Sequence, residues 1–120
     1  MHEIGIANSI LDAVRTETIR RPGSTARKVA VRIGELTSVD PDALRFGFEA
    51  LTRETELEAL QLEIEMCPRR HLCLDCNAEF QVHDFDLQCP WCGGQHTQCI
   101  SGEQLDIAYL EMEEHEPSIT

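Results

Sequence analysis

Four cysteines in two closely spaced pairs carry the most specific chemistry in this sequence. They are Cys73, Cys76, Cys89 and Cys92, and each pair has the spacing Cys-x-x-Cys. Two thiolates at this spacing can point inward from one tight turn, and a second pair completes a tetrahedron around Zn(II) with Zn–S bonds of about 2.3 Å. The spacing therefore predicts a closed structural zinc site. A disulfide or a redox-active dithiol would also use such pairs, and both alternatives stay open at this point.

The amino terminus offers a second set of metal ligands. Met1, His2 and Glu3 place an α-amine, an imidazole and a carboxylate within three residues. The amine and the amide nitrogen of His2 can close a five-membered chelate ring, and the same amide and the imidazole Nδ1 can close a six-membered one. Square-planar nitrogen ligation suits Ni(II) or Cu(II) more than Zn(II), and Glu3 could add an oxygen. The alternative is that His2 is a solvated terminal residue without a ligand role.

Further side chains that can bind metal stand close to the two cysteine pairs. They are Cys67, Cys99, His71 and His96. Neither extra cysteine forms a tight pair with the predicted site, because at least five residues separate it from the nearest of the four. We expect reduced thiols outside the site. The alternative is that one of these cysteines or histidines can exchange with a ligand.

Hydrophobic periodicity predicts two helices in the first half of the chain. The first runs from about Ile4 to about Arg20, where the sequence Arg-Arg-Pro-Gly ends it. Asp40 is well placed to cap the second, with Pro41 as its first residue, where a missing N–H costs nothing. The apolar faces consist of Ile4, Ala7, Ile10, Leu11 and Val14 in the first helix and Leu44, Phe48 and Leu51 in the second.

Alternation of apolar and polar residues predicts the strands. The three main ones fall at 28–34, 60–66 and 105–112. Between the cysteine pairs, Glu79–Val82 is typical of a short strand, His83–Asp86 of a turn, and Leu87–Gln88 of the return of a hairpin.

The order helix, strand, helix, strand, cysteine segment, strand predicts an α+β fold. Two helices would cover one face of a three-stranded, mainly antiparallel sheet in a two-layer domain. A zinc-ribbon-like module would be inserted before the last strand. We expect residues 1–66 together with 101–120 to form a nickel-binding α/β domain, and residues 67–100 to form the zinc-binding domain.

The charge balance narrows the classes of partner. The 120 residues include 10 Lys and Arg against 22 Asp and Glu, a formal net charge of -12, which repels nucleic acids and suits cations or basic protein surfaces. Glu3 stands where a signal peptide would be basic, and no apolar run approaches the ~20 residues of a membrane span. We therefore expect a cytoplasmic protein with reduced thiols and neither a nucleic-acid nor a membrane partner.

Several segments, taken together, match the pattern of one known family. They are the opening Met-His-Glu, the segments Arg32–Val39 (RIGELTSV) and Ala43–Phe48 (ALRFGF), and the two cysteine pairs, the second within Cys-Pro-x-Cys-Gly-Gly. In this order they resemble the HypA/HybF family of hydrogenase nickel incorporation proteins. Each segment is common by itself, whereas the combination is specific and covers the chain from Met1 to about Met112.

This resemblance implies a nickel metallochaperone for the maturation of [NiFe]-hydrogenase and not an enzyme. The nickel ligand of the family falls on His2, helped by the terminal amine and amides and by Glu3. Its partners would be a HypB-like GTPase and the hydrogenase large-subunit precursor, and some members also serve urease. Ni(II) would be the transported metal and Zn(II) the structural one, in a monomer or a homodimer. The zinc ligands of the family fall on Cys73, Cys76, Cys89 and Cys92.

Two other classes of protein would use the same cysteine pattern. A zinc-ribbon module could bind protein or nucleic acid without transferring nickel, although the net charge opposes nucleic acid. A thiol redox enzyme would need one reactive pair in a βαβ setting, whereas here two pairs flank a predicted hairpin. No nucleophile–base constellation or phosphate-binding loop is present in the sequence, so we expect no enzymatic activity.

Overall fold

A computed structural model describes residues 2–115, so Met1, with its expected nickel-binding amine, and the end of the acidic tail lie outside the described residues. Within this range, no helix is both long and apolar enough to cross a membrane. The elements are α1 (Glu3–Arg20), β1 (Ser24–Gly34), a short 3-10 turn (Glu35–Thr37), α2 (Pro41–Thr52), β2 (Gln61–Cys67), β3 (Arg70–Cys73), β4 (Glu79–Gln81), β5 (Thr97–Ser101) and β6 (Leu105–Glu114).

The described residues divide into two compact units. The first, the helical unit, contains the chain up to Val31, the segment Val39–Glu65 and the residues from Asp106 onward. The second, the cysteine unit, contains Arg32–Ser38 and Met66–Leu105.

In the helical unit, α1 buries most of the apolar face that the sequence predicts. Its buried residues are Ala7, Ile10, Leu11 and Val14. Ile4, predicted on the same face, is 54% exposed. It lies over Gly47, where an added Cβ would stand 3.2 Å from Ile4 Cγ1. Because Gly47 has no side chain, the backbone of α2 can approach Ile4 closely.

α2 begins at Pro41 with Asp40 as its N-cap, as predicted. The Asp40 Oδ1 atom accepts hydrogen bonds from the N–H of Asp42 at 2.9 Å and of Ala43 at 3.4 Å. These two N–H groups belong to the first turn, where no helical carbonyl is available to accept them. The apolar face of α2 consists of buried Leu44, Gly47 and Phe48 and half-buried Leu51.

The first sheet has the strand order β2-β1-β6, so β1 is its central strand. The predicted alternation of β1 is confirmed, because Val29, Val31 and Ile33 are all buried. On β2 the alternating residues Leu62 and Ile64 are half-buried. Two helices with small open sheets confirm the α+β fold class.

A second three-stranded sheet, which the sequence did not predict, frames the cysteine unit. Its order is β4-β3-β5, and both pairings are antiparallel, with His71 of β3 opposite Phe80 of β4. β4 therefore pairs with β3, whereas the predicted return of the hairpin at Leu87–Gln88 contains no strand. β4 matches the short strand predicted at Glu79–Val82, whereas β3 and β5 were not predicted. They have only 4 and 5 residues, and alternation over such short segments does not stand out from coil.

Candidate metal centre

The four cysteines of the two pairs come together in the cysteine unit. Their Sγ atoms all lie within 4.8 Å of one another. The Sγ atoms of Cys73 and Cys92 are 3.5 Å apart, and those of Cys76 and Cys89 are 3.7 Å apart. The sulfurs of a tetrahedral site with Zn–S bonds of about 2.3 Å stand roughly 3.8 Å apart, whereas a disulfide requires about 2.05 Å. All four thiols are free, and their spacing fits a zinc ion.

Each cysteine pair lies on a backbone turn, and the two turns repeat the same hydrogen bonds. In the first, the Asn77 N–H donates to the Cys73 carbonyl at 2.8 Å, and the Cys73 N–H donates to the Ala78 carbonyl at 2.8 Å. Asn77 has a positive φ of 64°, which asparagine tolerates better than most residues. In the second turn, the Gly93 N–H donates to the Cys89 carbonyl and the Cys89 N–H to the Gly94 carbonyl, both at 2.9 Å, and Gly93 has a φ of 75°.

Gly94 occupies a position beside the cage where an added side chain would crowd Asp75 and a ligand sulfur. Its N–H lies 3.4 Å from the Cys92 Sγ and points a donor at that sulfur. A Cβ added to Gly94 would stand 2.5 Å from Asp75 Oδ2 and 3.2 Å from Cys92 Sγ. The glycine therefore allows the backbone to approach the ligand closely.

The electrostatics of the four thiols favour a cation among them. Burial raises the pKa of Cys89, but the backbone N–H groups of Cys92 and Trp91 and the neighbouring thiols outweigh it and lower this pKa to about 7. The Gly94 N–H lowers the pKa of Cys92, but the thiol of Cys73, burial and the other thiols raise it to about 12. The first thiolate forms readily, but its negative charge opposes ionisation of the next thiol. A divalent cation at the centre offsets this repulsion between thiolates.

His71, considered above as an exchangeable ligand, is buried and fully hydrogen-bonded. Its Nε2 accepts from Arg69 Nε at 3.1 Å, which leaves the ring proton on Nδ1, 3.0 Å from Thr97 Oγ1. Burial, and after it the positive charge of Arg69, hold the pKa of His71 below its usual value. The ring also packs at a tilt against Phe80, with centroids 6.2 Å apart. His71 therefore joins β3 to β5 as a neutral core residue.

The other three candidate ligands also lie outside the cluster of four. The His96 Nδ1 is 3.5 Å from Asp75 Oδ2, and Cys99 Sγ points to the carbonyl of Ser101 at 3.3 Å. Cys67 is a buried cysteine outside any disulfide, at the end of β2. Across residues 2–115, the group of side chains arranged to hold a metal consists of the four paired cysteines alone.

At the amino terminus, His2 is exposed and extended immediately before α1. Glu3, the first residue of the helix, is half-buried, and its Oε1 accepts the Asp40 N–H at 3.3 Å. Asp40 takes part through its backbone N–H in this contact, while its carboxylate caps α2. The start of α1 is thus tied to the start of α2 within the helical unit.

Comparison with known proteins decides the family. A family model described as hydrogenase/urease nickel incorporation, metallochaperone, hypA matches residues 1–112. The chain belongs to the HypA family.

Individual HypA proteins are similar to this chain over almost its whole length. The hydrogenase maturation factor HypA of Geobacter metallireducens is 39% identical over 113 residues, which are 94% of this chain and 100% of that protein. The corresponding protein of Acidithiobacillus ferrooxidans is 36% identical, with the same coverage of both chains.

Two solution structures share the fold. The Ni metallochaperone HypA from Helicobacter pylori superposes with a TM-score of 0.63 at 22% identity, over 96% of this chain and 100% of that one. A second HypA structure gives 0.69 at 23% identity, over 94% and 97%. At these identities the likeness supports the α+β fold alone.

The HypA assignment confirms the family that the sequence motifs predicted. A metallochaperone carries metal and catalyses no reaction, so the expectation that the chain is not an enzyme is confirmed by the family. The cysteine cluster fits the structural zinc that was predicted for it. Nickel binding by His2 and Glu3 stays a prediction.

Some residues that hold the two sites in place from a distance could not be recognised from sequence patterns. Arg69 and Thr97 fix His71, and the Asp40 backbone meets Glu3 across 37 positions of the chain. Asp40 was visible as a helix cap, but a contact between a backbone N–H and a distant side chain leaves no periodic or spacing signal.

Proposed function

We propose that this chain binds Ni(II) through His2 and delivers it for the maturation of [NiFe]-hydrogenase. The observation that supports this most directly is the position of His2, which is exposed and extended at the start of α1. An imidazole there is open to both the metal and a partner protein. We propose nickel as the metal because the description of the family is nickel incorporation.

The helix start also leaves the His2 amide available as a ligand. The first N–H groups of a helix have no intrahelical acceptor, and the His2 carbonyl already accepts the Ile6 N–H at 3.2 Å. Deprotonating the His2 amide to bind nickel therefore breaks no helical hydrogen bond. Together with the imidazole and the terminal amine of Met1, this amide would form the three-nitrogen part of a square-planar site.

We propose Glu3 as a further nickel ligand. Its Oε1 accepts the Asp40 N–H, so Oε2 is the oxygen left for the metal. The positive end of the α1 dipole favours a carboxylate and a deprotonated amide but opposes a bound cation. These opposing effects would keep the nickel more weakly held than a metal in a closed thiolate cage, which suits a carrier that must release its cargo.

For the cysteine cluster we propose Zn(II) with a structural role. Four sulfur ligands leave no open position, as in structural rather than catalytic zinc sites. Cys73, Cys76, Cys89 and Cys92 would then hold the zinc-binding domain, residues 67–100. Residues 1–66 with 101–120 would form the nickel-binding domain.

The remaining steps of nickel delivery would take place on other proteins. We propose the [NiFe]-hydrogenase large-subunit precursor as recipient, urease as a second recipient, and a HypB-like GTPase as the partner that hydrolyses nucleotide. The similar proteins are hydrogenase maturation factors, which supports the first of these. We place the transfer in the cytoplasm, where thiols stay reduced, by a monomer or a homodimer.

Replacing His2 is expected to abolish stoichiometric nickel binding and to leave zinc in place. The imidazole is the one side-chain nitrogen of the proposed site, and it lies in a different unit from the cysteines. Untagged wild type and His2→Ala would be loaded with nickel chloride and desalted, and both metals measured by atomic spectrometry. His83→Ala, which removes an exposed histidine of the cysteine unit, is the matched control.

Undiminished nickel in His2→Ala would contradict the proposed site, as would loss of nickel in His83→Ala. If the wild type kept its zinc and bound no nickel, the alternative of a zinc-ribbon binding module would be favoured. A short extension before Met1 should also weaken nickel binding, because it removes the terminal amine.

A further inference from the structure

A cavity in the cysteine unit is lined by none of the proposed metal ligands. Its volume is about 290 Å³, near the lower end of the roughly 300–1,000 Å³ of small-molecule sites. This volume suits a single long side chain. Its lining includes three charged residues, Glu35, Arg69 and Asp84, and three apolar ones, Leu36, Val82 and Phe85.

A turn in an unfavourable conformation holds Phe85 at this cavity. The Asp86 N–H donates to the His83 carbonyl at 3.0 Å, and the two residues between them, Asp84 and Phe85, have positive φ values of 53° and 61°. Two left-handed residues in succession define a type I′ turn, in which glycine is favoured at the second position. Phenylalanine is sterically disfavoured there.

Stability does not explain a phenylalanine at this position. The side chain is 85% exposed, so burial does not offset the strain of the backbone. Leu36, which is far from the turn in the sequence, is also exposed and lines the same cavity. Strained residues of this kind concentrate at binding sites, and an exposed aromatic ring beside a cavity is a surface on which a ligand can stack.

The charges of the cavity favour a cation. Glu35 Oε2 accepts the Arg69 N–H at 2.8 Å, which leaves Oε1 for a ligand. Asp84 is exposed, so a ligand can also reach its carboxylate. The guanidinium of Arg69 is the opposing charge, and its Nε donates to His71 at 3.1 Å. Two carboxylates against one guanidinium give the lining a net negative charge.

We propose that this cavity receives an arginine side chain from a partner protein. A guanidinium can stack on the Phe85 ring while its planar N–H groups reach the carboxylates of Glu35 and Asp84. A free small molecule in the cavity would leave most of the exposed ring in water, whereas a protein surface would cover it. The net charge of -12 steers basic partners toward the chain. This docking site is independent of nickel binding at His2.

The first test uses two probes of nearly the same size and shape, one with a guanidinium cation and the other with a neutral ureido group. N-acetyl-arginine amide and the neutral analogue N-acetyl-citrulline amide would be titrated into the zinc-loaded, ¹⁵N-labelled full chain. We expect the arginine probe to shift the amide signals of Glu35, Leu36, Asp84 and Phe85, and to bind about three- to tenfold more tightly than citrulline. Equal binding of both probes, or shifts spread over the acidic surface, would overturn the proposal.

Variants then distinguish binding in the cavity from nonspecific attraction of a cationic probe to an acidic protein. Asp84→Asn keeps a residue that tolerates positive φ and removes the charge, and Phe85→Ala removes the ring. Both should weaken the arginine probe several-fold. Phe46→Ala, which removes a 73% exposed ring from α2, should have no effect. Wild-type affinity in Asp84→Asn and Phe85→Ala would overturn the assignment.

A third comparison identifies the source of the guanidinium. A blocked Leu-Arg-Leu peptide should bind several-fold more tightly than the single blocked arginine, because its leucines can cover Phe85 and Leu36. Equal affinity of the two probes would overturn docking of a protein and assign the cavity to a free guanidinium compound.

Discussion

At the scale of single residues, the metal cage depends on backbone space as much as on its sulfurs. A Cβ at Gly94 would stand 2.5 Å from Asp75 Oδ2 and 3.2 Å from Cys92 Sγ, so Gly94→Ala would push the Asp75 carboxylate aside and crowd the sulfur of a proposed ligand. We expect zinc affinity to fall about tenfold, as for other losses of support around a metal ligand, in a competition with a zinc-binding chromophore. Gly5→Ala is the control, because nothing lies within 4 Å of that added Cβ. Equal affinities of the two variants would contradict this role of Gly94.

The turn at Phe85 gives a second prediction at this scale, in which stability and binding move in opposite directions. Phe85→Gly relieves a positive φ of 61° on a bulky residue, so the free energy of unfolding of the zinc-loaded chain should rise by about 1 kcal/mol. The same change should weaken binding of the arginine probe several-fold, because it also removes the ring. Denaturant titration measures the first effect, with Phe85→Ala as the control that keeps most of the strain. A loss of stability in Phe85→Gly would show that the ring supports the fold.

At the scale of elements, α2 depends on its cap. Asp40→Ala removes the acceptor for the N–H groups of Asp42 and Ala43 and should lower the free energy of unfolding by about 1 kcal/mol. Asp40→Asn retains an acceptor oxygen and should lose much less. Thermal unfolding followed by circular dichroism measures both. If Asp40→Asn were as destabilised as Asp40→Ala, the lost charge and not the lost cap would be responsible.

The same helix explains how far the sequence could predict the fold. The pair Asp40-Pro41 is a local signal, and so is the alternation of Val29, Val31 and Ile33 in β1, because each depends only on neighbours in the chain. The four cysteines were recognisable for the same reason. β4 was predicted as a strand, but the β4-β3-β5 sheet was missed because strand pairing is non-local and the 4 and 5 residues of β3 and β5 carry little periodicity. Its central histidine, His71, was therefore considered a possible ligand instead of a core residue.

At the scale of the whole molecule, the two units differ in what makes up their cores. The buried cluster of the cysteine unit consists of Cys73, Phe80, Val82 and Cys89, with Ala78 packed against it. Two of these four residues are proposed zinc ligands. The helical unit instead buries large aliphatic side chains that have no connection with a metal, among them Leu11, Val14, Val29 and Leu44.

Removing zinc should therefore unfold one unit and spare the other. Without the metal, nothing offsets the mutual repulsion of the four cysteines as they ionise, and two of them lie in this small core. The apolar residues that remain bury too little surface to order β3 and β4. Hydrogen exchange after chelation should show lost amide protection from about Cys67 to Cys99 and retained protection in α1 and α2. Cys73→Ser should reproduce the effect without a chelator, whereas Cys99→Ser, outside the cage, should keep both zinc and protection. Unchanged protection of β3 and β4 in the metal-free chain would mean that the strands, with His71 bonded between Arg69 and Thr97, hold this unit together without the metal.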